Sequence, residues 1–109
     1  MEGFVPFEEF RKLEFKIAEI ISASDHPNAD KLVVLKIRVG ENEKQIVAGI
    51  KAHYPPDTLV GKKIVIVDNL EPAVIRGEKS EGMLLAASDD TTLTLVVPEK
   101  PISSGAKVK

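Results

Sequence analysis

Two short polar stretches hold the residue types best able to do chemistry. One is His26-Pro27-Asn28-Ala29-Asp30-Lys31-Leu32, the other Ser80-Glu81-Gly82-Met83. Asn28 and Ser80 offer hydrogen-bonding groups, Glu81 an acceptor, and Met83 a soft surface for a base or sugar. Lys31 opens a series of cations that Lys36 and Arg38 continue along one face of a strand, with Lys44, Arg76 and Lys79 farther on. Cations suit phosphates, and amides or hydroxyls suit riboses and bases, so the set fits recognition of a nucleic acid rather than bond making. Plainer readings stand beside each assignment. Asn28 and Asp30 are turn formers. Lys36 and Arg38 suit the solvated face of a strand. Met83 heads an apolar run and suits a core, and Gly82 suits a bulge or a close backbone approach.

Catalytic readings are weaker. Ser24-Asp25-His26 contains the residue types of a triad, but neighbours in a strand point to opposite faces. His26 and His53 have no metal-ligand spacing, and no glycine loop cradles a phosphate. The expectation is a binding protein with no catalytic residues, metal or cofactor. Tyr54 is the one tyrosine and aromatic content is 5%, which supplies little for stacking unpaired bases and favours recognition of backbone and shape.

The elements that must position these residues are short strands. The 109 residues suit one small domain, spanning 1–109. Hydrophobic content of 43% and charged content of 29% are those of a soluble protein, and cysteine is absent. Lack of cysteine fits a cytoplasmic setting. Met1-Glu2-Gly3-Phe4 is not the start of a signal peptide, and no apolar run reaches membrane-spanning length. A net charge of −2 requires any positive surface to be local, with acids segregated elsewhere.

Phe7, Phe10 and Leu13 predict a helix of one or two turns. Glu14–Ser24 reads as a long strand whose pattern shifts between Ala18-Glu19 and Ile20, the mark of a bulge or bend. Leu32–Val39 alternates as a strand and joins Lys44–Ile50 through a turn at Gly40–Glu43. Lys62–Asp68 reads as a strand, and its run Ile64-Val65-Ile66-Val67 is apolar on both faces and so is covered on both. Asn69–Lys79 reads as a long loop, followed by strands at Met83–Ala87 and Thr91–Val97. Many short strands with turns between them predict an all-β sandwich or small barrel. The long, bent first strand followed by a hairpin favours a five-stranded oligonucleotide-binding barrel, here with a short N-terminal helix and an added C-terminal strand. In that fold the face of strands 2 and 3 and the loops 1-2 and 4-5 hold the ligand. Here those loops are 25–31 and 69–81, which contain the two polar stretches.

At this point the residues resemble a known family. Phe15-Lys16-Ile17-Ala18-Glu19-Ile20, His26-Pro27-Asn28-Ala29-Asp30-Lys31-Leu32, Gln45-Ile46-Val47-Ala48-Gly49-Ile50, Leu59-Val60-Gly61-Lys62-Lys63 and Ser80-Glu81-Gly82-Met83-Leu84-Leu85-Ala86 are similar, in order, to the tRNA-binding domain. That domain occurs free-standing and as the C-terminal appendix or partner subunit of methionyl-tRNA synthetase. The resemblance implies an oligonucleotide-binding barrel that binds tRNA by shape, as a homodimer gripping the outer corner of the molecule. It implies no chemistry of its own, and a role as an accessory factor or a partner of methionyl-tRNA synthetase. The expected tRNA-binding residues are Asn28, Lys31, Lys36, Arg38, Arg76, Ser80, Glu81 and Met83. Glu81 is expected to meet a base or 2′-hydroxyl, or to hold Lys31 or Arg76. The exposed apolar candidates for a dimer surface are Phe4, Phe7, Phe10 and the strand 91–97. A chaperone-like branch shares the fold and supplies the alternative, a protein-interaction module. Two departures stand out: Ala18 where many relatives bend at glycine, and Glu71, Ala73 and Val74 where relatives are basic.

Overall fold

A computed structural model describes residues 2–109. In chain order it contains helix α1 (Phe7–Phe10), β1 (Phe15–Asp25), β2 (Val33–Val39), β3 (Asn42–Ala48), a 3-10 turn (Pro56–Thr58), β4 (Lys63–Val67), β5 (Ala73–Ile75), β6 (Glu78–Ser80), β7 (Met83–Leu84), β8 (Ala86–Ser88), β9 (Leu93–Leu95) and β10 (Lys107–Val108). No helix among the described residues is long and apolar enough to cross a membrane.

β1 organises the barrel. Its first half, Phe15–Glu19, pairs antiparallel with β4, and its second half, Glu19–Asp25, pairs with β2. The register slips between Ile20 and Ser22, so one extra residue bends the strand between the two partners. The bend falls just past the Ala18–Ile20 shift in the apolar pattern, and it is made without glycine. Ala18 has no exposed surface, so a small side chain fills the interior beside the bend.

The main sheet runs β3-β2-β1-β4-β7. It curls until Glu81 N–H donates to the Gln45 carbonyl at 2.7 Å, returning the entry of β7 to β3. That order and closure are those of the five-stranded oligonucleotide-binding barrel. The interior is filled by Ile20, Val33, Leu35, Ile37, Ile46, Leu59, Ile64 and Ile66, all fully buried. Each contributes about 1.5–3 kcal/mol of transfer free energy on burial. β4 is covered on both faces, with Ile64, Val65, Ile66 and Val67 all buried. Leu59 enters the core straight after the Pro56–Thr58 turn, which Pro55 and Pro56 start.

The helix is a single turn, within the one or two expected, and Arg11 and Lys12 are drawn back to Glu8 and Glu9 by exposed pairs at 3.1 and 3.3 Å. Other predicted spans change. The strand expected at Met83–Ala87 breaks at Leu85, whose N–H bonds Val65 O while its carbonyl accepts from Val96. Its far half, β8, leaves the barrel and, among the described residues, pairs with β9 alone, the core of the added C-terminal strand. The segment Asn69–Lys79 is not a plain loop. It holds a two-stranded hairpin, β5 and β6, in which Ile75 pairs with Glu78 across Arg76-Gly77. Both turn residues have positive φ, 52° and 96°, the backbone pattern of a type I′ hairpin turn. Asn and Gly are the usual occupants of such a turn, so Arg76 gave no signal for it.

Candidate nucleic-acid interface

The connection from β1 to β2 folds into a compact loop. His26 N–H donates to Leu32 O at 3.1 Å, which closes the loop at its neck. His26 is buried, with 5% of its surface exposed. Its Nδ1 accepts from the Asn28 backbone N–H at 2.9 Å. The ring proton therefore lies on Nε2, which donates to Ile75 O at 2.9 Å. Asn28 adds a bond from Nδ2 to Arg76 O at 3.3 Å. The β1–β2 loop and the tip of the β5–β6 hairpin are thus one surface. Ala29, Asp30, Lys31, Leu32 and Arg76 line a shallow groove of about 380 Å³ there.

The base of the hairpin is fixed to β3 by Gln45. Its Nε2 donates to Lys79 O at 2.9 Å and to Glu78 Oε1 at 3.4 Å, while its Oε1 accepts from Lys36 Nζ at 2.5 Å. Lys36 and Gln45 face each other across β2 and β3. Together with Glu43, Lys44 and Glu81 they line a second groove of about 350 Å³. Alternation along β2 leaves Lys36 and Arg38 exposed while Leu35 and Ile37 go inward.

The expected site residues therefore divide. Asn28, Lys31 and Arg76 come together at one end, with Lys36 farther along β2. Among the described residues, Lys31, Lys36, Arg76 and Lys79 have no carboxylate within 4.0 Å, so their charge is free for phosphates. Arg38 lies toward the other end of β2, 3.9 Å from Glu43 of the opposite strand. Met83 is half exposed, so it takes the surface reading rather than the core one.

Ser80 is placed differently from expectation, and Glu81 does not hold Lys31 or Arg76. Ser80 is buried, and its hydroxyl is used twice inside the protein: it accepts from Val47 N–H at 3.0 Å and donates to Gly82 O at 3.1 Å. It ties the hairpin to β3 and has no face for a ribose. The Glu81 carboxylate accepts from Gln45 N–H at 3.2 Å and makes no ion pair with Lys31 or Arg76. Gly82 is a close approach: a Cβ there would lie 2.9 Å from Val67 O, at a φ of 149°.

Lys44 is also taken out of the free cations. It donates to Asp68 at 2.7 Å, and Lys16 reaches the other oxygen at 3.1 Å. Burial pushes the Asp68 carboxyl up, but the hydrogen bonds and charges of Lys44 and Lys16 outweigh it and hold the group below the usual aspartate value. The aromatic side chains Phe7, Phe10 and Phe15 stack with one another near the N-terminus, with centroids 6.4 and 5.8 Å apart. Tyr54 is engaged with Thr94 and Leu95. Neither group forms a stacking platform in the grooves.

Sequence reasoning passed over Gln45 and His26 as organising residues. Gln45 had a signal: the β2–β3 register puts its amide opposite Lys36. The partner of His26, Ile75 O, is 49 positions away and had no local signal.

Residues 15–107 match the family model described as "Putative tRNA binding domain". The chain is 46% identical over 107 residues to the methionine–tRNA ligase of Nanoarchaeum equitans, covering 98% of this chain and 14% of that protein. It therefore spans about a seventh of the length of the curated relatives it matches. Among solved structures, a MetRS-related protein from Pyrococcus horikoshii superposes with a TM-score of 0.91 at 34% identity, covering 100% of both chains. The chaperone CsaA from Bacillus anthracis superposes with a TM-score of 0.89 at 30% identity, covering 98% of this chain and 100% of that one. The chain belongs to the tRNA-binding domain family, of the methionyl-tRNA synthetase C-terminal type.

Proposed function

We propose that this protein binds folded tRNA by its phosphate backbone and shape, largely without regard to sequence, and acts in the cytoplasm as a non-catalytic accessory factor. The surface is the β1–β2 loop with Asn28 and Lys31, the hairpin tip with Arg76, and the outer face of β2 with Lys36 and Arg38. Lys79 adds charge beside it, and Met83 lies at its edge. Ser80 and Glu81 serve by holding the hairpin and β7 against β3. The observation that carries this reading is the joining of Lys31 and Arg76 in one groove by the Asn28–Arg76 bond. Two cations from segments distant in sequence, neither with an acidic partner within 4.0 Å among the described residues, converge where the fold presents its ligand loops.

In this reading residues 1–109 work as one unit, free or docked on methionyl-tRNA synthetase. Two copies grip the outer corner of one tRNA, which raises avidity. Phe4, Phe7 and Val97 are large apolar side chains more than half exposed, and they supply the candidate contact between copies. The likeness to the chaperone CsaA supports a second reading, in which the same apolar surface holds unfolded polypeptide.

Co-elution of the purified chain with unfractionated tRNA, run against a reduced, unfolded polypeptide, separates the two. The tRNA reading predicts a tRNA complex with one tRNA per two chains. Binding of the polypeptide with none of tRNA overturns it.

A further inference from the structure

We infer that His26 is a positioning residue of the tRNA site, acting as a clip that holds Arg76 over the groove it shares with Lys31. The inference rests on the tRNA-binding reading above.

The β5–β6 hairpin is a two-stranded ribbon of three residues a side, and such a ribbon is marginal alone. Its base is bonded to β3 through Gln45 and Ser80. Its tip has a different anchor. Among the described residues, the carbonyls of Ile75 and Arg76 are reached by side chains only from the β1–β2 loop, through His26 Nε2 and Asn28 Nδ2. Gly77, beside them, packs with its Cβ position 3.6 Å from Asn28 Nδ2. The imidazole is buried and uses both nitrogens, one to shape its own loop and one to hold the tip. A cation on a fixed tip meets phosphate without first losing the freedom of the ribbon, and that preorganisation raises affinity.

The two functions of the ring can be separated. His26→Asn keeps an acceptor near the Nδ1 position for Asn28 N–H but cannot reach Ile75 O. His26→Gln places an amide N–H near the Nε2 position and can keep the tip bond. Kd for unfractionated tRNA is measured for both, alone and combined with Arg76→Asn, which removes the cation and suits the turn. The clip predicts that His26→Asn weakens binding about fivefold and His26→Gln by less than about twofold. In the Arg76→Asn background, His26→Asn should change Kd by less than about twofold, because the group it positions is gone. A His26→Gln loss as large as that of His26→Asn overturns the clip. So does a His26→Asn loss of undiminished size in the Arg76→Asn background. If Arg76→Asn itself leaves Kd unchanged, the assignment of Arg76 to the tRNA surface fails and the clip with it. If Arg76→Asn weakens binding and the two effects add, the clip alone fails. Nitrogen NMR of the unmodified protein gives a check that needs no variant: the ring proton should reside on Nε2, and a proton on Nδ1 overturns the clip.

Discussion

Arg76→Asn should make the protein more stable and a worse ligand binder in one step. Arg76 is the one non-glycine residue with positive φ among those described, at 52°. An L-residue in that region costs about 1–2 kcal/mol, a penalty that asparagine largely avoids. Asparagine followed by glycine is the preferred pair for this turn type, so the variant should gain about 0.5–1 kcal/mol. For a domain of this size that raises Tm by roughly 2–5 °C. The same change removes an exposed cation with no acidic partner within 4.0 Å among the described residues. One charge about 4 Å from a phosphate at a wet surface is worth about 1–2 kcal/mol, or close to tenfold in Kd. The slope of log K against log salt should also become shallower by about 0.9. The assays are a thermal melt and a tRNA titration at several salt concentrations. A lowered Tm would refute the reading of the turn. An unchanged Kd and slope would refute the placing of Arg76 on the tRNA surface.

Lys31→Ala should weaken tRNA binding by about tenfold, with the melt unchanged, since the side chain is exposed and has no acidic partner among the described residues; an unchanged Kd removes it from the site. Gly82→Ala should destabilise by about 1–3 kcal/mol in a urea titration, because its Cβ meets Val67 O at 2.9 Å; a cost below about 0.5 kcal/mol contradicts the close approach. Asp68 is held below the ordinary aspartate value of 3.8 by Lys44 and Lys16, against the opposing effect of burial. A carboxyl depressed by folding adds stability that is fully present above its unfolded pKa and is lost as pH falls through the lowered value. Asp68→Asn should therefore be less stable than the parent at neutral pH, and the gap should close below pH 3.8; a gap that persists undiminished at lower pH contradicts the pairing.

The barrel was legible because its signals are local and periodic. Val33, Leu35, Ile37 and Val39 alternate with exposed Lys36 and Arg38, and Lys63–Val67 is apolar enough to be covered on both sides. The bend of β1 showed as a shift in that period. The parts that stayed hidden depend on contacts distant in sequence. Ser80 has the residue type of a ligand contact, and only the packing of β6 against β3 shows that Val47 and Gly82 occupy its hydroxyl. The hairpin around Arg76-Gly77 was masked by an arginine in a conformation that favours glycine and asparagine, and by polar residues in β6. Leu85 continues an apolar run, yet its backbone turns to Val65 and Val96, which no local pattern records. The site lies between these cases. Each cation was visible, but the meeting of Lys31 with Arg76 follows from the tip of one hairpin resting on another loop.

The salt dependence of tRNA binding tests the phosphate-backbone reading most directly. Lys31, Lys36, Arg76 and Lys79 are free of acidic partners within 4.0 Å among the described residues. Four phosphate contacts per chain predict a slope of log K against log salt of about −3 to −4 for each chain engaged. Lys31→Ala combined with Arg76→Asn should make it shallower by about 2 per chain. A tRNA affinity that does not fall as salt rises, or a slope that the double variant leaves unchanged, would contradict recognition through this surface.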